Sequence, residues 1–405
     1  MDTIGPYARR LDVIRSCANY SAAAHQREIN YSGMSRTSLR GRDCAPNVHS
    51  TNTMRAISVI PGRPNSIQLV DVPQPPATDG SVVAATLAVG VCGTDVEIVS
   101  GRYGWAPPGS DRLVLGHESV ARVLEVPADC HLQRGDLVVG IVRRPDPIPC
   151  EYCAAGEWDM CRNGRYTERG IKERDGYGAE QIRIEPDFAV RVDPTLGVLG
   201  VLLEPASIVA KAWDHAERIG QRSKAWNPRT ALITGAGPIG LLAALLGRER
   251  SLEVHVFDRV TSGPKPELVA DLGAIYHGGD LSSLGNIRPD IIIECTGATP
   301  VIVDAVTRSG KSGVVCLAGI SSGAHIITLD LSGVNTRMVL ENDAVFGSVN
   351  ANRTHYEIAA GALARADREW LARLITRRVP LVSFHEAFVR NPDDVKVIID
   401  FAAAG

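Results

Sequence analysis

The chain has 405 residues, 44% apolar and 22% charged, enough for two domains with cores of their own. Its formal charge of −3 gives no electrostatic case for binding nucleic acid or an anionic membrane surface. The longest apolar stretch, 231–247, is broken by glycines and Pro238 and is too short to span a bilayer, and no signal-like apolar region follows the first charges. Three of the nine cysteines crowd into 150–161, which without an export signal suggests metal more than disulfides and a reducing cytoplasm.

Residues 1–53 are polar, with scattered arginines and no sustained periodicity, and Asp2, Asp12, Glu28 and Asp43 argue against a transit peptide. They read either as a disordered extension or as sequence upstream of a start at Met54, and we favour the latter. From 54 to 205, short β-branched runs alternate with Pro and Gly turns: Ile67–Val72, Val82–Val89, Ser119–Val126, Asp136–Val142, Glu180–Ile184 and Phe188–Val192. That spacing predicts a folded-over β-barrel. Pro205 opens a predicted helix through Arg218 that crosses into a second domain, 206–342.

The second domain alternates predicted strands and helices, as in a doubly wound parallel α/β sheet. Strand-like runs lie at 253–257, 290–295 and 313–318, and helical stretches at 266–272 and 299–308. The segment 343–405 holds a long helical pattern from His355 to about Thr376 and a last apolar run, Val395–Phe401, expected to pack back on the first domain.

The densest signal lies at 230–258. A short apolar strand, Ala231–Thr234, leads into Gly235-Ala236-Gly237-Pro238-Ile239-Gly240 and then into an apolar helix. Gly235 permits a tight turn, Gly237 leaves room for a pyrophosphate at the helix N-terminus, and Gly240 allows close helix–strand packing. A second strand ends in Asp258, eighteen residues beyond Gly240, where a ribose-binding acid belongs. Asp258 favours NAD, while Arg259 beside it offers a cation for the 2′-phosphate of NADP. Thr296, Leu317 and Gly319 sit at predicted strand ends, where a nicotinamide should lie.

Cys92, in Val91-Cys92-Gly93-Thr94-Asp95, and His117, in Leu115-Gly116-His117-Glu118, carry zinc-ligand side chains beside glycines. Each alone is ordinarily a small buried thiol or a structural imidazole. Together with a downstream dinucleotide domain, this pattern resembles the zinc-dependent medium-chain dehydrogenase/reductase superfamily. Several further stretches resemble its glucose 1-dehydrogenase branch: Val142–Pro145, Cys150–Cys153, Asp159–Cys161, Tyr166–Ile171, Asp175–Tyr177, Leu203–Pro205 and Gly347–Asn352. The likeness spans roughly 54–401.

The resemblance implies a GroES-like β-barrel catalytic domain and a Rossmann domain. It implies Cys92, His117 and Glu204 as ligands of a catalytic zinc, with Glu118 beside the metal as an outer partner or exchanging ligand. Read alone, Glu204 is equally a helix N-terminal acid matched to the dipole. Thr94 matches a hydroxyl that relays the substrate proton, or else is a turn residue. Cys150, Cys153 and Cys161 match three ligands of a structural zinc; Pro147 occupies the first position and Asp146 is the nearest substitute, so the alternative is a metal-free loop. Glu168 and Asn350 match residues that bind sugar hydroxyls.

The implied reaction is oxidation of an aldose such as glucose or galactose at C1 to the aldonolactone, with Zn2+ and NAD or NADP, in a cytoplasmic homo-oligomer (dimer or tetramer) without nucleic-acid or membrane partners. Its alternatives are a polyol, L-threonine or alcohol dehydrogenase of the same superfamily and, from another class, a non-catalytic zinc- and nucleotide-binding redox sensor. A chain beginning at Met54 should keep the melting temperature and turnover of the full chain; aggregation or lost activity on removing the preceding residues would make them part of the fold.

Overall fold

The computed structural model describes residues 53–402 except 322 and 324. The expectation placed on the segment before Thr53 falls outside these residues.

Strand Val82–Val91 is the centre of the N-terminal architecture. Its ten residues are largely apolar and β-branched or small, and most are buried. Along one edge it pairs antiparallel with Glu118–Glu125. The other edge is shared: Gln181–Ile184 pairs with its first half, and Lys396–Asp400 pairs with its last residues, Ala88–Val91. Leu137–Gly140 and Ala189–Val192 extend the sheet on one side, and Ile375–Pro380 extends it on the other. A three-stranded sheet of Thr53–Val59, Gln68–Pro73 and Leu113–Val114 accompanies it.

The second architecture is a six-stranded parallel sheet in the order Ile275–Gly278, Glu253–Asp258, Thr230–Thr234, Ile291–Glu294, Val314–Leu317 and Ala344–Gly347. The strand order reverses between Thr230–Thr234 and Ile291–Glu294, which opens a crevice at their carboxyl ends. Helix Leu203–Gly220 connects the two halves. It packs on helices Pro238–Glu249 and Arg353–Arg365, and its fully buried Trp213 donates Nε1–H to the Ala243 carbonyl at 3.1 Å.

Three expectations need correction. The connecting helix begins at Leu203 rather than Pro205, so Glu204 lies inside its first turn. The pattern from His355 to Thr376 is not one helix: Arg353–Arg365 ends, Asp367 caps a new helix, Arg368–Leu374, by accepting from the Trp370 amide at 2.9 Å, and Ile375 begins a strand. The periodicity continued across the break because both helices bury a face in the same core. Finally, the described stretch most able to span a membrane by length and composition is Pro194–Gly220, not 231–247, and 78% of its apolar window is buried inside the protein. It is a core helix.

Glu185 locks a small fourth sheet, Arg143–Arg144, Thr167–Arg169 and Glu173–Arg174, onto the large seven-stranded one. It follows strand Gln181–Ile184 and accepts from Arg144 Nε and Nη2 at 3.1 and 2.8 Å and from Arg174 Nη2 at 2.6 Å. Burial works to raise its pKa, but the bonds and charges of Arg144 and Arg174 overcome this and bring it from 4.5 to about 2. The folded state therefore binds fewer protons than the unfolded chain between those values. The stabilisation is full above pH 4.5 and is lost as pH falls toward about 2. Glu185→Gln should lower Tm by about 3 °C or more at pH 7; differential scanning calorimetry should find that gap closing as pH drops through this window.

Candidate active site

Cys92 ends strand Val82–Val91 and caps the N-terminus of helix Gly93–Val99, its Sγ accepting the Thr94 amide at 3.2 Å. His117 immediately precedes strand Glu118–Glu125, the antiparallel partner of that strand, so pairing alone brings the two side chains together. Cys92 Sγ lies 3.0 Å from His117 Nε2. Asp95, one turn into the helix, holds both: Oδ2 accepts the Cys92 amide at 2.9 Å, and Oδ1 lies 3.3 Å from His117 Nδ1. Ligand atoms of Cys92, Asp95 and His117 all lie within 4.8 Å of one another. Although burial opposes charge on His117, Asp95 and Cys92 raise its pKa well above the usual value.

Glu204 reaches the same region from the connecting helix but is not among those three close groups. Burial first, then the charges of Glu118 and Asp95, outweigh His117 and Lys396 and push its carboxyl up to about 8. Glu118, expected as an outer partner or exchanging ligand, is held by a lysine. Its Oε2 accepts from Lys396 Nζ at 2.6 Å, a fully buried pair in which Lys396 also reaches the Val91 carbonyl at 3.3 Å.

Asp95 lies against His117 and Glu118 against Lys396, which leaves Cys92 Sγ and the buried Glu204 carboxyl as further donors at this place. A sulfur, an imidazole and a carboxyl together form a donor set that suits zinc. The residues fit the metal. Cys92 Sγ and His117 Nε2 would hold it with Glu204, while Asp95 fixes the His117 tautomer through Nδ1.

The sugar-site candidates also meet. Glu168 and Asn350, 182 residues apart, are both buried, and Asn350 Nδ2 donates to Glu168 Oε1 at 2.7 Å. The same Oε1 receives Arg143 Nε and Nη2, each at 3.0 Å. Tyr103 lies near enough that, after burial, the Glu168 charge helps raise its pKa.

In the crevice, Gly235 adopts φ +89°, and a Cβ on Gly240 would stand 1.7 Å from the Gly235 carbonyl oxygen, so no larger residue fits there. Gly237 and Pro238 begin helix Pro238–Glu249, which also contains Ile239. Asp258 reaches this loop but is already occupied: Oδ2 accepts the Ala236 amide at 2.7 Å and Lys265 Nζ at 3.2 Å, and Oδ1 accepts the Val260 amide at 3.0 Å. Arg259 is exposed. Thr296 faces Gly235 across the strand reversal, and Leu317 and Gly319 sit at the end of the next strand. Buried Glu294 shapes this floor by accepting the Thr296 amide at 2.7 Å and Thr234 Oγ1 at 3.2 Å.

The thiols of Cys150, Cys153 and Cys161 converge within 4.8 Å. Asp146 does not complete them: its oxygens accept the Ile148 amide at 2.8 Å and Arg165 Nε at 3.2 Å, and Pro147 is exposed. Asp95, Lys396, Arg143, Lys265 and Glu294 escaped the sequence reading. Asp95 alone had a local signal, an acid three residues after a candidate ligand at a helix start.

Comparison with known proteins decides the family. Residues 78–194 match the alcohol dehydrogenase GroES-like domain, and 197–401 match the glucose dehydrogenase C-terminus. A glucose 1-dehydrogenase of Methanocella arvoryzae is 38% identical over 360 residues, 86% of this chain and all of that one. The chain belongs to the glucose 1-dehydrogenase family of medium-chain dehydrogenases. Glucose 1-dehydrogenase 2 of Vulcanisaeta moutnovskia is 40% identical over 86% of this chain and 99% of its own. The Haloferax mediterranei glucose dehydrogenase, solved with NADP, Zn and gluconolactone, superposes with a TM-score of 0.79 at 32% identity, covering 87% of this chain and all of that one.

Asp95→Asn keeps the shape but, with its amide oxygen on the Cys92 N–H, replaces the carboxylate oxygen beside His117 Nδ1 by an NH2 group. Zinc affinity, measured by competition with a chromogenic chelator, should fall about 10- to 100-fold, as for outer-shell partners elsewhere.

Proposed function

We propose that this enzyme oxidises glucose, or a closely related aldose, at C1 to the aldonolactone with zinc and NAD or NADP. The observation that carries the reading is the meeting of Glu168 and Asn350, buried and bonded to each other from distant segments, in a chain of this family. A sugar hydroxyl desolvated without a partner costs about 1–3 kcal/mol. A carboxylate and an amide at one point supply acceptors and donors for several hydroxyls.

Cys92, His117 and Glu204 would hold zinc, with Asp95 orienting the imidazole. The bound metal would supply a Lewis acid to lower the pKa of the C1 hydroxyl, and the bound nicotinamide a hydride acceptor. Thr94 gives its amide to Cys92 Sγ, and its hydroxyl carries the C1 proton away. Gly235, Gly237 and Gly240 accommodate the pyrophosphate, with Thr296, Leu317 and Gly319 framing the nicotinamide. Asp258 accepts from the adenosine ribose. Lys265 and Arg259 offset its repulsion of a 2′-phosphate, so both cofactors are accepted with a lean to NAD.

The enzyme works in the cytoplasm, a reading supported by seven free cysteines among the described residues. It assembles as a dimer or tetramer through the exposed apolar side chains of Ile326, Leu331, Val339 and Leu340 near the edge strand Ala344–Gly347.

Glu168→Ala should cut kcat/KM on glucose or galactose by about tenfold to a hundredfold and leave any weak turnover of a simple alcohol untouched. Initial rates on a panel of aldoses, ethanol, sorbitol and threonine, before and after chelation, test the reading. Preference for any of the last three over every aldose would restrict the assignment to the superfamily.

A further inference from the structure

One buried ion pair has no part in the chemistry above. Lys211, seven residues after Glu204 on helix Leu203–Gly220, contacts Asp159 Oδ2 at 2.6 Å, with both side chains almost wholly shielded from water (2% and 0% exposed). Asp159 belongs to the cysteine lobe, between Cys153 and Cys161. Replacing such a pair by apolar side chains of equal volume is often neutral or stabilising, so stability alone does not account for it. What it provides is direction.

Lys211 Nζ also donates to the Val349 carbonyl at 2.9 Å, directly before Asn350. Asp159 Oδ1 accepts Asn352 Nδ2 at 3.0 Å, directly after that residue's neighbour Ala351. The Asp159 carbonyl accepts Arg143 Nη1 at 3.0 Å, and the rest of that guanidinium grips Glu168. The Asn350 side chain then closes the circuit on Glu168 Oε1. The backbone before residue 350, the side chain of Asn352 after it and the arginine that grips Glu168 therefore all bond to Lys211 or Asp159.

We infer that Lys211, through Asp159, is a positioning residue for sugar binding: it sets the 349–352 backbone and the Arg143–Glu168 fork from the helix that carries Glu204. The inference rests on the proposed sugar-binding role of Glu168 and Asn350. It makes the cysteine lobe a strut of the substrate site.

Lys211→Met alone would strand a buried carboxylate, so the informative variant is Lys211→Met with Asp159→Asn, which leaves no unpaired charge. It should fold, retain zinc at the Cys92 site, and bind NADH or NADPH as before in a fluorescence titration. Its KM for glucose should rise about tenfold while kcat stays within about threefold. Lys211→Gln with Asp159→Asn keeps a donor for the Val349 carbonyl and should recover most of the loss. Adding Glu168→Ala to the Met variant should cost less than it does in the unmutated enzyme, because the two act on one unit.

A folded Met/Asn variant with glucose KM within about twofold of the unmutated enzyme overturns the inference, provided Glu168→Ala still impairs glucose turnover. If neither substitution affects glucose, the sugar-site reading has failed and the positioning role falls with it. Should the Met/Asn variant not fold, Asn352→Ala removes the other strut while keeping the ion pair. It must then raise glucose KM at least about threefold, and a smaller effect also overturns the role.

Discussion

Burial of several ionisable side chains at one place governs the catalytic end of this molecule. Asp95 lies against His117 and Glu118 against Lys396, so each of these acids meets a base within the fold. Burial above all pushes the Glu204 carboxyl up to about 8. The fold brings these groups together from several elements: Cys92 and Glu118 by antiparallel pairing of adjacent strands, Asp95 by a helix start, and Glu204 by the connecting helix.

The same economy of position recurs in the crevice of the parallel sheet. Strand reversal leaves a gap at the carboxyl ends of Thr230–Thr234 and Ile291–Glu294, and the glycine loop fills one lip of it. Glu294, wholly buried, sets the other lip by gathering amides and a hydroxyl from neighbouring strand ends. Helix Leu203–Gly220 joins this crevice to the metal pocket, since Glu204 begins it and Trp213 anchors it to the helix that follows the glycine loop.

Much of this was legible in the sequence because it is local. Cys92 and Asp95 lie within one turn, the glycine loop is six consecutive residues, and strand alternation shows over short windows. What was hidden depends on partners far away in the chain. Nothing near Glu118 in the sequence announces that Lys396, 278 residues on, reaches its Oε2. Nor does the strand ending in Asp258 show that Lys265 and two amides share its carboxylate. The two buried arginines Arg143 and Arg144 stood in plain view, but a sequence does not say which carboxylates will reach them. The break between helices at 366–367 was readable from Asp367 as a cap; an uninterrupted apolar period concealed it.

The insertion of Lys396–Asp400 beside Val82–Val91 has a consequence for biosynthesis. The last residues of the strand that leads into Cys92 acquire their second neighbour only after nearly the whole polypeptide has been made, whereas Gln181–Ile184 is available to its first half much earlier. Until then Glu118 is a carboxylate awaiting its cation, and the half-built sheet presents an open edge that invites association with other nascent chains. A product truncated before residue 396 therefore lacks the lysine that pairs with buried Glu118 beside Cys92.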